Sequence, residues 1–200
     1  MKSSIQNYFL NLLKSGQGLH FVSFTCRYGK FTMYCLIGPE ENIMQVTFAP
    51  EKHQQLQKDL KSLNRNVYIG KQQQKKFPYN SMFADYFAGR LTEFPVEAVS
   101  QLIAAETDFK KSVWHHIGKI PYGGCITYKT LAELAGSPGG ARAAGMACGA
   151  NPLALIIPCH RVVAVGGLGG FAGGVAIKEA LLTLEGTVSN TVKNNSNKQI

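Results

Sequence analysis

Cysteine, histidine and arginine stand in a row at Cys159, His160 and Arg161, inside the string NPLALIIPCHRVV. A cysteine attacks as its thiolate, and an ordinary thiol with a pKa of about 8.5 is only slightly ionised at neutral pH unless a base, a cation or a helix N-terminus assists it. His160 offers a base and Arg161 a cation. Sequence neighbours point apart, so His160 has to act on Cys159 through a turn or a bridging water. ALII reads as a short buried strand that Pro158 ends, which puts Cys159 at a strand end. The residues alone leave two readings open, a reactive cysteine and a buried structural one. Further on, Glu185 closes a helix whose Leu181, Leu182 and Leu184 face inward. It can reach back to fix an imidazole tautomer, making a Cys/His/Glu arrangement, and a solvated helix end is the alternative.

Six glycines fall between Gly166 and Gly174. Neither a G-x-x-x-x-G-K-[ST] loop nor a dinucleotide fingerprint fits there, so the run reads as backbone brought close to a flat ligand such as a base. Upstream, TYKTLAELAGSPGGARAAGMACGANP reads as two short helices around a Gly-Ser-Pro-Gly-Gly break. The first starts at Thr127 or Thr130 and turns Leu131 and Leu134 inward. The second is almost bare, with Arg142 as its one long charged side chain. A major-groove reader needs several base-reading side chains, whereas a bare helix suits the minor groove, where Arg142 could take the place of a base rotated out of the stack. A close-packed core helix explains the same composition.

These residues need a scaffold, and 200 residues with 45% hydrophobic content allow one large domain or two small ones. The balance of 21 Lys+Arg against 12 Asp+Glu, a net charge of +9, favours a polyanionic partner. No stretch approaches the roughly 20 apolar residues of a membrane span. The first residues lack a continuous secretory core, so an intracellular address, cytoplasmic (nucleoid) or nuclear, is expected. Five cysteines at irregular spacing suit reduced thiols.

HFVSFTCRYGKFTMYCLIG reads as a hairpin. With Tyr28-Gly29 as its turn, Cys26 faces Phe31, Phe24 faces Met33, Val22 faces Cys35, and the two thiols stay apart. NIMQVTF adds a strand, and PEKHQQLQKDLKSLN a helix with Leu56, Leu60 and Leu63 inward and His53 in solvent. NVYIG is a further strand and KQQQKKFPYNSMF a basic exposed stretch. Asn80 is expected to cap a helix with Met82, Phe83, Tyr86 and Phe87 inward and Gly89 as its stop; its aromatic stripe reads as core. From Thr107 the texture changes to short helices separated by glycine and proline, the first capped by Thr107 or Asp108. The adjacent His115 and His116 make a poor metal pair. The expected domains are residues 1–100, residues 101–187 and a disordered polar tail at 188–200.

Taken in order, IPYGGCITYKTLAELAG, ARAAG, NP, IIPCHRVV, GGLGGFAGG and KEALLxLEG resemble the O6-alkylguanine-DNA alkyltransferases, or methylated-DNA–protein-cysteine methyltransferases, from about Phe77 to Gly186. The resemblance implies an α/β N-terminal domain with a ribonuclease-H-like sheet and a mostly α C-terminal domain with a winged-helix-like helix-turn-helix. It implies DNA repair by a single irreversible transfer of the alkyl group from O6-alkylguanine, and from O4-alkylthymine, to Cys159. His160 would draw the thiol proton through a water, Glu185 would orient His160, and Asn151 would tie the recognition helix to the active-site turn. Tyr128 would crowd the target phosphate and hydrogen-bond the guanine, and Arg142 would enter the stack. Ala141 and Ala143 would meet the minor groove, and the carbonyls of Cys159 and Val162 would accept from the guanine amine. Phe171 and Ala172 stand where many relatives carry Tyr-Ser, which bears on pocket width. The implied partner is double-stranded DNA with an alkylated guanine, bound by a monomer with no membrane, no cofactor and no metal; some relatives bind zinc N-terminally, and no ligand set here matches theirs. A lesion sensor without an acceptor cysteine and a helix-turn-helix regulator are the rival classes.

Overall fold

Alternating apolar and polar residues build the first sheet. The computed structural model describes residues 19–63, 67–94 and 106–187. Strands β1 (Leu19–Tyr28), β2 (Phe31–Ile37), β3 (Ile43–Thr47) and β4 (Val67–Gln72) form a sheet of order β3-β2-β1-β4, antiparallel except that β4 runs parallel to β1. Tyr28 pairs with Phe31, so the turn is Gly29-Lys30 rather than Tyr28-Gly29, and Gly29 takes the positive φ of 55° that a tight turn demands. Cys26 therefore faces Met33, Phe24 faces Cys35 and Val22 faces Ile37. A shift of two residues keeps every side chain on its face, which is why alternation alone could not choose the register. Phe87 decides it by stacking on both Tyr28 and Phe31, at 4.9 Å from each ring. The observed register sets Cys26 and Cys35, both free and buried, diagonally across the hairpin on one face, nearer than the expected register would put them.

Helix α1 (Pro50–Leu63) buries Leu60 and half-buries Leu56 against the sheet; the side chain of Leu63 lies outside the described residues. His53 is not solvated. Ser23 of β1 and Gln45 of β3 lie beneath α1 and hold both ring nitrogens, Nε2 at 2.8 Å from Ser23 Oγ and Nδ1 at 2.7 Å from Gln45 Oε1. Burial, helped by Lys71, pushes the His53 pKa down to about 4. β4 extends into the basic stretch as far as Gln72. Helix α2 (Asn80–Phe87) starts at Asn80, after Tyr79 as its cap, and Gly89 follows it at φ 71°. Asn80 does not cap: its Oδ1 accepts from Tyr28 Oη at 2.9 Å and Gln74 Nε2 at 3.0 Å, fastening α2 to the hairpin.

Thr107 caps α3 (Asp108–Gly118), accepting from the Lys110 N–H, and Thr127 caps α4 (Tyr128–Leu134), accepting from the Thr130 N–H at 3.1 Å. A turn with positive-φ Gly136 and Gly139 leads into α5 (Ala141–Gly149), and α3, α4 and α5 pack together with α4 and α5 as the helix-turn-helix. Trp114 Nε1 donates to Ala147 O at 2.9 Å across this unit. Leu131 and Ala132 are the buried residues of α4; Leu134, its last residue, is half exposed instead of inward.

The ALII run is not a strand. Leu153 makes a single parallel bridge to Val46 of β3, with Val46 N donating to Pro152 O at 2.8 Å and Ala154 N to Val46 O at 2.9 Å. The chain then turns at Leu155-Ile156, with Leu155 at φ 72° and Ile157 N bonded to Leu153 O. An apolar run between two prolines looks alike as strand or as buried turn, because both hide the same side chains. Strand β6 (Val162–Val163) comes after the cysteine, parallel to β5 (Ile126–Thr127), and α6 (Val175–Leu184) closes the described fold. One hydrophobic core runs through both halves. The boundary expected at 100/101, the tail at 188–200 and residues 1–18 lie outside the described residues. Among the described residues no helix is long and apolar enough to cross a membrane.

His53 is neutral in the fold, whereas in the unfolded chain its imidazole protonates below about pH 6.5. Its contribution is therefore lost as pH falls from 6.5 to about 4, a loss of up to about 3 kcal/mol. Urea unfolding at pH 7 and pH 4.5 should show His53→Gln losing less stability on acidification than the parent; identical losses would contradict it.

Candidate active site

Pro158 leads into a single 3-10 turn, Cys159–Arg161, whose three side chains are all buried. So tight a turn sends successive side chains in different directions. Cys159 faces a cavity, while His160 and Arg161 reach Glu185, the residue that ends α6.

Glu185 is buried and surrounded by donors. Oε1 accepts from Tyr86 Oη at 2.6 Å, His160 Nε2 at 2.8 Å and Arg161 Nη2 at 2.9 Å; Oε2 accepts from Arg161 Nε at 2.8 Å and the Gly123 N–H at 3.3 Å. Arg161 Nη1 donates to Ile120 O at 2.7 Å. Burial alone would raise the carboxyl pKa, but the hydrogen bonds from His160 and Arg161 overcome it and hold Glu185 at about 2. Burial lowers the pKa of His160 even though Glu185 opposes it. The permanent counter-charge of the carboxylate is thus Arg161, and the imidazole is neutral at neutral pH. Because Nε2 faces a carboxylate, Nε2 carries the proton, an assignment made from its partners. Nδ1 is then a lone-pair acceptor, buried and without a hydrogen-bond partner among the described residues. A neutral imidazole with a free nitrogen is a base.

The thiol is placed by Asn151, which follows α5. Its Nδ2 donates to Cys159 Sγ at 3.1 Å and to Ile157 O at 2.7 Å, while its Oδ1 accepts from the Leu153 N–H at 2.9 Å. Burial raises the Cys159 pKa; the Asn151 N–H and the charges of Lys178 and Lys52 pull it back. Cys148 lines the same cavity without such a donor, and burial beside Cys159 pushes it up to about 12.

The cavity, of about 550 Å³, is lined by Tyr128, Arg142, Asn151, Cys159, Phe171 and Ala172, and from the N-terminal half by Thr47, Phe48 and Lys52. Tyr128 Oη donates to Gly170 O at 3.1 Å, and burial lifts the phenol to about 12, so it remains a donor. Gly169, at φ 72°, has to be glycine, since a Cβ there would sit 2.7 Å from the Tyr128 ring. Arg142 is exposed on α5 at the cavity's edge, beside half-buried Ala141 and exposed Ala143. Val162 is fully buried and its carbonyl accepts from Lys178 Nζ.

Besides lining residues such as Thr47, Phe48 and Lys52, sequence reasoning misses three contributors. Arg161 serves the carboxylate and not the thiol. Tyr86, read as core, reaches Glu185 from α2. Lys178 is completely buried, bonded to the Val162 and Gly170 carbonyls and 5.5 Å from the Tyr128 ring centre. The signal for Lys178 was its place on the inward stripe of α6, three and four residues before Leu181 and Leu182. Among the described residues no three metal-ligating side chains gather.

Residues 108–187 match the family model described as 6-O-methylguanine DNA methyltransferase, DNA binding domain. The chain is 45% identical over 116 residues to the methylated-DNA–protein-cysteine methyltransferase of Mycobacterium leprae, covering 54% of this chain and 68% of that protein. The chain belongs to the methylated-DNA–protein-cysteine methyltransferase family. To the relative of the same name from Mycobacterium tuberculosis (strain H37Rv) it is 50% identical over 101 residues, a match spanning 59% of that protein's length and 50% of this chain. The fold is similar to that of Mycobacterium tuberculosis OGT solved in complex with DNA, at 32% identity and a TM-score of 0.60 over 83% of this chain and 92% of that one. It is likewise similar to the O6-methylguanine-DNA methyltransferase of Pyrococcus kodakaraensis, at 26% identity and a TM-score of 0.56 over 83% and 99%. The mixed α/β half followed by a mostly α half with a helix-turn-helix is thus the arrangement of this methyltransferase family.

Removing the carboxylate would leave a buried guanidinium and imidazole unpaired. Glu185→Ala is expected to cost about 3–5 kcal/mol in denaturant unfolding, and a cost below about 1 kcal/mol would contradict the burial of this network.

Proposed function

We propose that this chain repairs DNA by taking the alkyl group of O6-alkylguanine, and of O4-alkylthymine, onto Cys159 in one irreversible turnover per molecule. The observation that carries the reading is the Cys159 thiol, opening on the cavity under the Asn151 N–H and backed by a neutral His160 anchored on Glu185.

In this reading a water between His160 Nδ1 and the thiol relays its proton to the imidazole. The thiolate sulfur attacks the alkyl carbon, and an S–C bond forms as the C–O6 bond breaks. The bonding electrons return to the base, which regains its ring proton from water as His160 gives up the proton it took, so no other reactant is consumed. Tyr128, held protonated, donates to the ring as negative charge develops there. The thioether has no leaving path, and the protein is spent.

A base inside a duplex cannot reach this cavity, so the target nucleotide has to rotate out. Arg142, exposed at the edge of the bare helix α5, fits the role of filling its place, with Ala141 and Ala143 letting the helix approach the minor groove. The Cys159 carbonyl, and the remaining lone pair of the Val162 carbonyl, are the acceptors for the guanine amine. Phe171 and Ala172 form the cavity wall. The reading further takes residues 101–187 as the DNA-binding and transfer domain behind an N-terminal domain of residues 1–100, acting as a monomer on chromosomal DNA, in the nucleoid or the nucleus. The charge of +9 supplies sequence-independent affinity that salt should weaken.

Incubation with an oligonucleotide containing O6-methylguanine should add one methyl group to the peptide holding Cys159 and restore guanine. Cys159→Ala should bind the oligonucleotide and transfer nothing. An unmodified peptide with the lesion intact would overturn the reading. Arg142→Ala should slow repair of duplex DNA at least about tenfold while leaving reaction with the free O6-methylguanine base within about twofold of the parent; equal duplex rates would contradict the role given to Arg142.

A further inference from the structure

The cavity that holds Cys159 is not a property of the C-terminal half alone. Phe48 follows the last residue of β3 and lines the cavity from the N-terminal sheet. Its ring lies 6.1 Å from that of Phe171, tilted by 45°, so the two make one aromatic wall. Behind it, the edge of Phe31 meets Phe48 at 6.4 Å, and Phe31 is stacked in turn on Phe87 of α2. The wall is therefore backed by the packed interior of the sheet and cannot simply recede.

Two further contacts set its position relative to the thiol. Val46, two residues before Phe48, exchanges backbone hydrogen bonds with Pro152 and Ala154, in the loop that leads to Cys159. Gly173 lies so close that a Cβ built on it would stand 2.5 Å from the Phe48 Cβ. The glycine loop that carries Phe171 thus rests directly on Phe48. Tyr128, Arg142, Met146 and Lys52 also line the cavity, while Ala154 and Ala172 each present only a methyl group. Phe48 and Phe171 are the paired rings of the lining, and of the two Phe48 is the one supplied by the N-terminal half.

We infer that Phe48 is a specificity-determining residue, a steric wall of the N-terminal half that sets how large an alkyl group reaches Cys159. The inference rests on the alkyl-transfer reading above. A pocket discriminates by roughly 10–200-fold for one methylene that does not fit, so a ring-sized change in the wall should be read clearly by a ring-sized substituent. Small groups such as methyl fit with the wall in place; a benzyl group needs the volume that the Phe48 ring occupies.

The test compares second-order rates of transfer from oligonucleotides carrying O6-methylguanine or O6-benzylguanine, followed as modified Cys159 peptide, for the full chain and for Phe48→Ala, Phe48→Leu and Phe48→Trp. The benzyl-to-methyl rate ratio should rise about tenfold or more in Phe48→Ala, rise less in Phe48→Leu and fall in Phe48→Trp. Phe83→Leu alters a fully buried ring of the same aromatic core that does not line the cavity, and it should lower stability without moving the ratio. Should Phe48→Ala fail to fold, the Leu and Trp variants decide by their opposite shifts. Methyl and benzyl rates that fall together in the Phe48 variants, or a ratio that Phe83→Leu shifts equally, would overturn the assignment and leave the transfer reading standing. A parent chain that transfers neither group to Cys159 would overturn both.

Discussion

A single buried carboxylate organises the site. Glu185 sits where water cannot reach it, a position that would be prohibitive for a lone charge, and it is tolerable because Arg161 supplies a permanent positive partner while Tyr86, His160 and the Gly123 N–H fill its remaining acceptor positions. The partition of roles among these donors matters more than their number. Since Arg161 neutralises the carboxylate, His160 need not be charged to stay in place, and burial keeps it neutral. The same anchor fixes which ring nitrogen bears the proton, and the other nitrogen is left as a base one residue from the thiol.

This anchor also joins the two halves of the chain. Tyr86 comes from α2 of the N-terminal half, Arg161 and His160 from the 3-10 turn, Glu185 from the end of α6. The backbone bonds of Val46 to Pro152 and Ala154 add a second tie, between sheet edge and active-site loop. Phe48 adds a third, as a wall of the cavity itself. A site assembled from both halves is held by contacts that no single stretch of the chain could provide, and this explains why one continuous core passes through both.

Much of this was legible in the sequence, and the failures have physical reasons. The motif strings placed Cys159, His160, Glu185, Asn151, Tyr128 and Arg142, and the structure brings the first four and Tyr128 together around one turn and one cavity, with Arg142 at its edge. Strand signals identified β1, β2, β3 and the start of β4 but not the hairpin register, because a two-residue slip preserves the pattern. His53 looks solvated from its helix alone, since nothing local reveals that Ser23 and Gln45, far away in sequence, meet both its nitrogens. ALII read as a strand because burial and not geometry is what an apolar run encodes. Adjacency in sequence points Arg161 at the thiol, whereas a tight turn sends adjacent side chains apart. Tyr86 and Phe48 were invisible as site residues, their contributions depending wholly on how the halves pack.

The central claim is the protonation state of one ring. Nitrogen NMR of imidazole-labelled protein at pH 7, assigned to His160 by comparison with a His160→Gln variant, reports it directly. A neutral ring protonated at Nε2 and bare at Nδ1 is the predicted result. An imidazolium, or a ring protonated at Nδ1 with Nε2 bare, would contradict the account, because neither leaves Nδ1 free to receive the proton of Cys159.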